Sequence, residues 1–494
     1  MKKNSKDALD YGMEETETGN KEGFARDMFE FLQGLVINRE CDDSDDVFDG
    51  EDNDFGEEDN EDDDEEREDM NVSGFDKVIG YETIKGELLQ ICDMIKNREV
   101  YKNLGAKLPH GLLLYGDPGL GKTLMARSFI EESGLPAYTV RRNKGNEDFI
   151  GEITETFREA AKNAPAIVFL DDMDKFANED DDHRDAEEYV AVQAGIDEVK
   201  GSDVFVIATV NEIRKLPRSL VRTGRFDRRI GVDCPSHDDA FKIIQYYLSS
   251  KKVSENVNMD DLCRMISYSS CAELETILNE AAICAASKRK ESIEMEDLVR
   301  SVLRMQYDAP DNFTKASAED LYKTALHEAG HLVVCEAVAP GSVGLASIRS
   351  TGRDSKGGFI HLCQGLSNRR QDILVSLAGK AAVELYFSEA CASGCQADID
   401  RAAGLIRSGM EGSGTYGLGM VDVSGDFMSE VMRGHCETVV HAELERFMFK
   451  VRDILLKNRE FLDRAVQALV DKETLLRSDI DGIKNEVTVM EFDI

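Results

Sequence analysis

The sequence predicts an α/β domain followed by a mainly α-helical one. The first is a parallel five-stranded sheet flanked by helices and completed by a small helical lid. Three observations predict it. Between Phe75 and Cys234, short apolar runs alternate with amphipathic helical patterns. From His237 to about Met305 the pattern is wholly helical. After Asp308–Asn312 (DAPDN), a second, largely helical stretch begins near Ala316 and runs to the C-terminus.

Taken in order, residues 1–73 form an acidic extension. From Asp42 to Asp69 most residues are Asp or Glu, Arg67 is the lone base, and the segment carries close to half of a formal net charge of -39. Such a block repels itself and lacks the apolar surface to fold. The acidity also argues against nucleic acid, whose phosphates it would repel. Phe24–Ile37 is the longest apolar run, but Arg26, Asp27, Glu30 and Gln33 interrupt it. Nothing therefore reaches the roughly 20 apolar residues a bilayer span requires. As an amphipathic helix, this run leaves contact with a membrane surface open. Eleven cysteines without CxxC pairs, and no signal peptide, predict reduced thiols in a cytoplasmic protein.

The α/β domain is expected over 74–235. Its strands are Leu112–Tyr115, Ala137–Val140, Ile167–Leu170, Phe205–Ala208 and Arg229–Val232. Continuous apolar runs suit strands buried on both faces, hence a parallel sheet. The helical lid is expected over 236–308, the second domain over 316–480 and a tail over 481–494.

The first strand runs into Gly116, Asp117, Pro118, Gly119, Leu120, Gly121, Lys122, Thr123 and Leu124, the last opening a helical pattern. This is the context of a phosphate-binding loop. Glycines let backbone N–H groups converge on phosphate oxygens, Lys122 reaches the β/γ-phosphates, and the Thr123 hydroxyl ligates Mg2+. The strand AIVFLDDMD delivers Asp171 to the Mg2+ shell and places Asp172 where a base orients the attacking water. Asn211, ending a neighbouring strand, is placed to position that water or sense the γ-phosphate. Arg225 and Arg228, in TGRFDRR, read either as surface ion-pair residues or as charges supplied to ATP on an adjacent subunit.

HEAGH (His327–His331) lies in a helical pattern, so His327 and His331 project from one face onto one ion, and Glu328 is free to act as general base. Gly330 costs such a helix roughly 1 kcal/mol relative to Ala, which points to a packing need. A catalytic zinc takes three protein ligands. Spacing does not name the third, with His361, His435, His441 and many carboxylates available.

The series GDPGLGKT, AIVFLDDMD, IATVNE, VRTGRFDRRI, LNEAA, HEAGH, AGKAAVELYF, SGCQADI, YGLGM and KETL, from about Gly74 to Leu475, resembles the FtsH family of AAA+ zinc proteases. The resemblance implies an ATP-dependent zinc metalloendopeptidase. It implies a homohexameric ring that hydrolyses ATP with Mg2+ between subunits and threads unfolded or tagged protein substrates to a zinc-dependent cutting site. By the same resemblance Asp398 is the third zinc ligand, Phe149 the pore aromatic that grips substrate, Arg225 and Arg228 the arginine fingers, Asn211 the sensor, and Ile79 and Gly80 the backbone that receives adenine. The segment Gly357–Leu362 looks like the edge strand that pairs with an extended substrate in that family.

Four departures stand out. No transmembrane helix is present, Asp172 replaces the usual Glu, the segment between Phe149-Ile150-Gly151 and Phe157 is about one helical turn shorter than usual, and Asp197-Glu198-Val199 replaces the usual DGF. An ATP-driven unfoldase with a weak or vestigial peptidase is the alternative reading, and a nucleotide-gated scaffold with slow turnover a third.

Overall fold

A computed structural model describes residues 74–142, 146–177, 187–222, 224–309, 317–349, 357–387, 395–416 and 429–494. The acidic extension and Phe24–Ile37 lie outside the described residues. The chain divides into two compact units, which meet in sequence between Met305 and Gln306.

In the first unit, a 3-10 turn at Gly74–Lys77 precedes α1 (Glu82–Lys96) and α2 (Arg98–Asn103). Strands β1 (Gly111–Tyr115), β2 (Ala137–Val140), β3 (Ala166–Leu170), β4 (Val204–Val210) and β5 (Arg228–Gly231) then alternate with α3 (Lys122–Ser133), α4 (Asn146–Lys162), α5 (Glu187–Glu198) and the short α6 (Arg218–Val221). The sheet has five parallel strands in the order β2-β3-β4-β1-β5. All five predicted runs form strands. β3 and β4 are buried along their whole length, as their unbroken apolar sequences require. β2 departs from that expectation: as an edge strand it exposes Ala137 and Thr139. Leu112, Leu113 and Leu114 of central β1 are fully buried, each stabilising the fold by about 2 kcal/mol. They anchor the strand whose C-terminal end carries the phosphate loop.

The lid comprises α7 (His237–Ser249), α8 (Met259–Met265), α9 (Cys271–Ser287) and α10 (Met295–Tyr307). Ser236 caps α7, Asn258 caps α8, and Ser270 with Glu273 forms a reciprocal capping box on α9.

The second unit is built around α11 (Ala318–Val338), whose start is capped by Ser317 and which is buried over most of its length. β6 (Val343–Ser347) and β7 (Phe359–Leu362) follow, then α12 (Arg369–Tyr386), α13 (Cys395–Ser413), α14 (Glu430–Lys457), α15 (Arg459–Lys472), β8 (Thr474–Leu476) and α16 (Arg477–Glu486). A three-stranded antiparallel sheet, β7-β6-β8, accompanies the helices, with β7 on its edge as Gly357–Leu362 was expected to be. The expected tail at 481–494 is instead packed. Asn458 exchanges hydrogen bonds with the backbone of Met490 at 2.7 and 3.1 Å, and Phe492 N–H donates to the Ala337 carbonyl at 2.8 Å. Among the described residues no helix is long and apolar enough to cross a membrane, and the described cysteines are free thiols.

Candidate functional site

The nucleotide site forms where β1 turns into α3. Gly116 has φ 150°, and a Cβ there would lie 1.9 Å from the Val232 carbonyl oxygen; Gly119 and Gly121 are left-handed, at φ 78° and 83°. Only glycine fits such a cradle. The Lys122 ammonium is buried and donates to the carbonyls of Gly116 and Asp117 at 2.8 and 2.7 Å. Burial lowers its pKa, and the carboxylates led by Asp172 pull the other way. Thr123 and Thr209 hydroxyls both donate to Asp171 Oδ1, at 2.9 and 2.7 Å. The loop thus brings together the hydroxyl and carboxylate oxygens expected to share an Mg2+ shell.

The Asp172 N–H donates to Thr209 Oγ1 at 2.9 Å. Asp174, one turn on, accepts the N–H groups of Asn211 and Glu212, both at 3.2 Å, tying Asn211 to the acidic turn. The lid meets the loop, for Ala272 N–H donates to the Gly119 carbonyl at 3.1 Å. Gly80, next to Ile79, is left-handed at φ 72°, and a Cβ there would lie 2.9 Å from Asp239 Oδ1, which accepts from Tyr81 N–H at 2.9 Å.

Two expectations are corrected. Phe149 is fully buried, its ring edge-on to Phe176 with centroids 5.2 Å apart. A side chain that grips a passing chain must reach solvent. Phe149 instead shares a core stripe of α4 with Ile153, Phe157 and Ala160, a helical spacing visible in the sequence. Arg225 is only 2% exposed. Its guanidinium donates to Asp197 at 2.7 and 3.3 Å and to the Ser219 carbonyl, so it is engaged within its own chain. The hydrogen bonds from Arg225 and Lys200 bring Asp197 down to about 2. The Asp of the altered DGF position is thus the partner that retains Arg225. Arg228, by contrast, is exposed at the start of β5.

The second site lies on α11. His327 Nε2 and His331 Nε2 are 3.0 Å apart, and Asp398 Oδ2, from the first turn of α13, lies 3.1 and 3.4 Å from them. Tetrahedral zinc with bonds of about 2.0–2.1 Å has ligand-to-ligand edges of about 3.3 Å. The three atoms therefore already sit at the corners such an ion requires. Asp398 Oδ2 is also a buried acceptor with no aligned hydrogen-bond donor, as a metal ligand should be. His331 Nδ1–H donates to the Val375 carbonyl at 2.7 Å, which fixes the tautomer and leaves Nε2 its lone pair. Among the described residues this is the one cluster with metal-ligand geometry. Of the other candidate histidines, His361 Nδ1 pairs with the Tyr307 hydroxyl at 2.6 Å, and His435 and His441 belong to no such cluster.

Electrostatics follow from the packing. Burial pushes Asp398 up, but the two imidazoles more than reverse it and hold it well below the carboxylate range. Burial opposes a charge on His331, yet Asp398 and Glu328 carry it above its ordinary value. Burial raises Glu328, against the pull of His331 and His327, and the Gly358 N–H donates to its carboxylate. The Glu328 carboxyl is thus buried and held in one orientation beside the two imidazoles and Asp398.

Two glycines that sequence reasoning missed shape this site. A Cβ on Gly379 would come within 2.4 Å of the His327 ring, and one on Gly358 within 2.5 Å of Glu328 Cγ. Gly330 meets the packing need expected of it, for a Cβ there would lie 2.6 Å from Ala382 Cβ and 2.7 Å from the Ala378 carbonyl oxygen of α12. A cavity of about 470 Å³ opens over the site, lined by Glu328, both histidines, Asp398 and the residues of edge strand β7.

A phosphate cradle at the end of a parallel sheet, joined in one chain to a His–His–Asp site with a buried carboxylate beside it, defines a nucleoside triphosphatase coupled to a metallopeptidase. Sequence comparison agrees. The ATPase family associated with various cellular activities (AAA) matches residues 112–234, and peptidase family M41 matches residues 314–483. ATP-dependent zinc metalloprotease FtsH 3 of Symbiobacterium thermophilum is 30% identical over 84% of this chain and 71% of its own. FtsH 2 of Sphaerobacter thermophilus is 30% identical over 83% and 66%, and FtsH of Ureaplasma parvum 28% over 83% and 60%. The chain belongs to the FtsH family of ATP-dependent zinc metalloproteases.

Proposed function

We propose that this chain is an ATP-dependent zinc endopeptidase that unfolds and degrades protein substrates. The observation that carries the reading is the corner-to-corner match of His327 Nε2, His331 Nε2 and Asp398 Oδ2 to a zinc coordination shell. When bound there, zinc supplies Lewis-acid polarisation of the scissile carbonyl and of water.

The chain's own residues do the rest. The free edge of β7 pairs with an extended substrate backbone and lays it along the cavity, a β-augmentation that fixes the scissile bond without regard to side chains. Glu328, held by the Gly358 N–H, takes the proton of the attacking water and passes it to the departing amine. Val375 holds His331 in the required tautomer. In the other unit, Lys122 and the loop amides bind the triphosphate, Thr123 and Asp171 hold its Mg2+, Asp172 orients water, and Asn211 senses the γ-phosphate. Ile79 and Gly80 take the adenine.

This reading extends to assembly as a homohexamer, with the exposed Arg228 supplying charge to a neighbour's ATP and substrate threaded through the ring; family membership supports it. On this reading a residue other than the buried Phe149 grips the substrate.

The test is zinc content and ATP-dependent casein degradation, wild type beside Glu328→Gln and Lys122→Ala. Wild type should hold one zinc per chain and degrade casein with ATP. Glu328→Gln should keep the metal and ATP hydrolysis while losing cleavage by at least about a hundredfold. Purified protein with no zinc and no cleavage would leave only a motor.

A further inference from the structure

We propose that Lys175 is a positioning residue for ATP hydrolysis, acting through Asp172: its ammonium claims the carboxylate oxygen that would otherwise orient the attacking water, and so slows turnover. This rests on the ATPase reading above.

The geometry leaves Asp172 little choice. Its backbone is left-handed at φ 50°, and its N–H is pinned to Thr209 Oγ1, whose hydroxyl is in turn bound to Asp171. The root of the side chain therefore does not move. Lys175 is equally fixed at its root. Its N–H donates to the Asp172 carbonyl at 2.9 Å, its carbonyl accepts from Arg142 at 3.0 Å, and its neighbours Asp174 and Phe176 are buried. Lys175 Nζ then lies 2.8 Å from Asp172 Oδ2.

The other charges around Asp172 have different work. Lys122 binds the loop carbonyls, Asp171 the two threonine hydroxyls, and Asp174 the amides of Asn211 and Glu212. Aspartate has one methylene less than glutamate, so a carboxylate turned toward Lys175 has no slack with which to reach a water as well. Small displacements of a catalytic group reduce rate steeply. The Lys175 side chain is 59% exposed and that of Asp172 22%. The pair is therefore screened and exchanging, a partial brake rather than a lock.

The experiment is steady-state ATP hydrolysis by the full chain, comparing wild type with Lys175→Met, Lys175→Arg and Lys122→Ala. Lys175→Met should raise kcat about two- to fivefold at low salt, with KM for ATP unchanged because Lys175 does not hold the triphosphate. Lys175→Arg should stay at the wild-type value. Raising ionic strength to about 0.5 M should lift wild type toward the Met variant and leave that variant flat. A kcat of Lys175→Met at or below wild type, an effect confined to KM, or an Arg variant that behaves like Met overturns the proposal. Hydrolysis that survives Lys122→Ala overturns the ATPase reading itself, and this inference with it.

Discussion

His327, a proposed zinc ligand, shows how much of a side chain's placement comes from residues with no polar atoms. Its ring rests against the Cα of Gly379, which is glycine for lack of space, not for its backbone angles, since its φ is not among the positive ones. Gly379→Ala should therefore displace the ring while leaving the other unit intact. Zinc affinity, measured by competition with a chelating dye, should fall about tenfold to a hundredfold, with ATP hydrolysis retained. Undiminished affinity would mean the ring has room the structure does not show. HEAGH was legible because an i, i+4 spacing forces convergence. Asp398 was legible only through resemblance, since a loop-and-helix return across about 70 residues has no periodicity to read. Gly379 and Gly358 carried no signal at all, because a glycine in a sequence does not say what approaches it.

At the scale of elements, α11 is both ligand carrier and structural axis, and its far end is fixed by charge. Glu336 is fully buried and binds Arg477 at 2.6 and 3.2 Å, Lys484 at 2.6 Å and the amides of Gly341 and Val343. One carboxylate thereby ties α11 to β6 and α16. Burial raises this carboxyl, but Arg477 and Lys484 bring it below its ordinary value of 4.5. A depressed carboxylate contributes stability that is fully present above its unfolded pKa and lost as pH falls through the folded one. Acid unfolding of the second unit should accordingly steepen below about pH 4.5. Glu336→Ala should cost about 3–5 kcal/mol in urea unfolding, because it leaves Arg477 buried beside no carboxylate of α11. A loss under about 1 kcal/mol would show that Asp481, which also binds Arg477, suffices alone. The tail reading of 481–494 failed at this scale. Its polar composition looks solvated, yet Asn458 and the α11 end supply backbone partners that only the fold assembles.

For the whole molecule, two compact units joined in sequence near Met305 predict two unfolding transitions. ATP with Mg2+ should raise only the first, by about 2.7 kcal/mol at a hundredfold excess over Kd, and a zinc chelator should lower only the second. Differential scanning calorimetry distinguishes this from one merged transition that responds to both.

The sequence by itself determined the sheet, the lid, the phosphate loop and the two histidines, because each depends on periodicity or spacing within a single element. Tertiary structure alone decided that Asp197 holds Arg225 and that Glu336 gathers Arg477 and Lys484. Those outcomes depend on where two separately rooted side chains meet, and a pairwise distance in space is written in no local pattern.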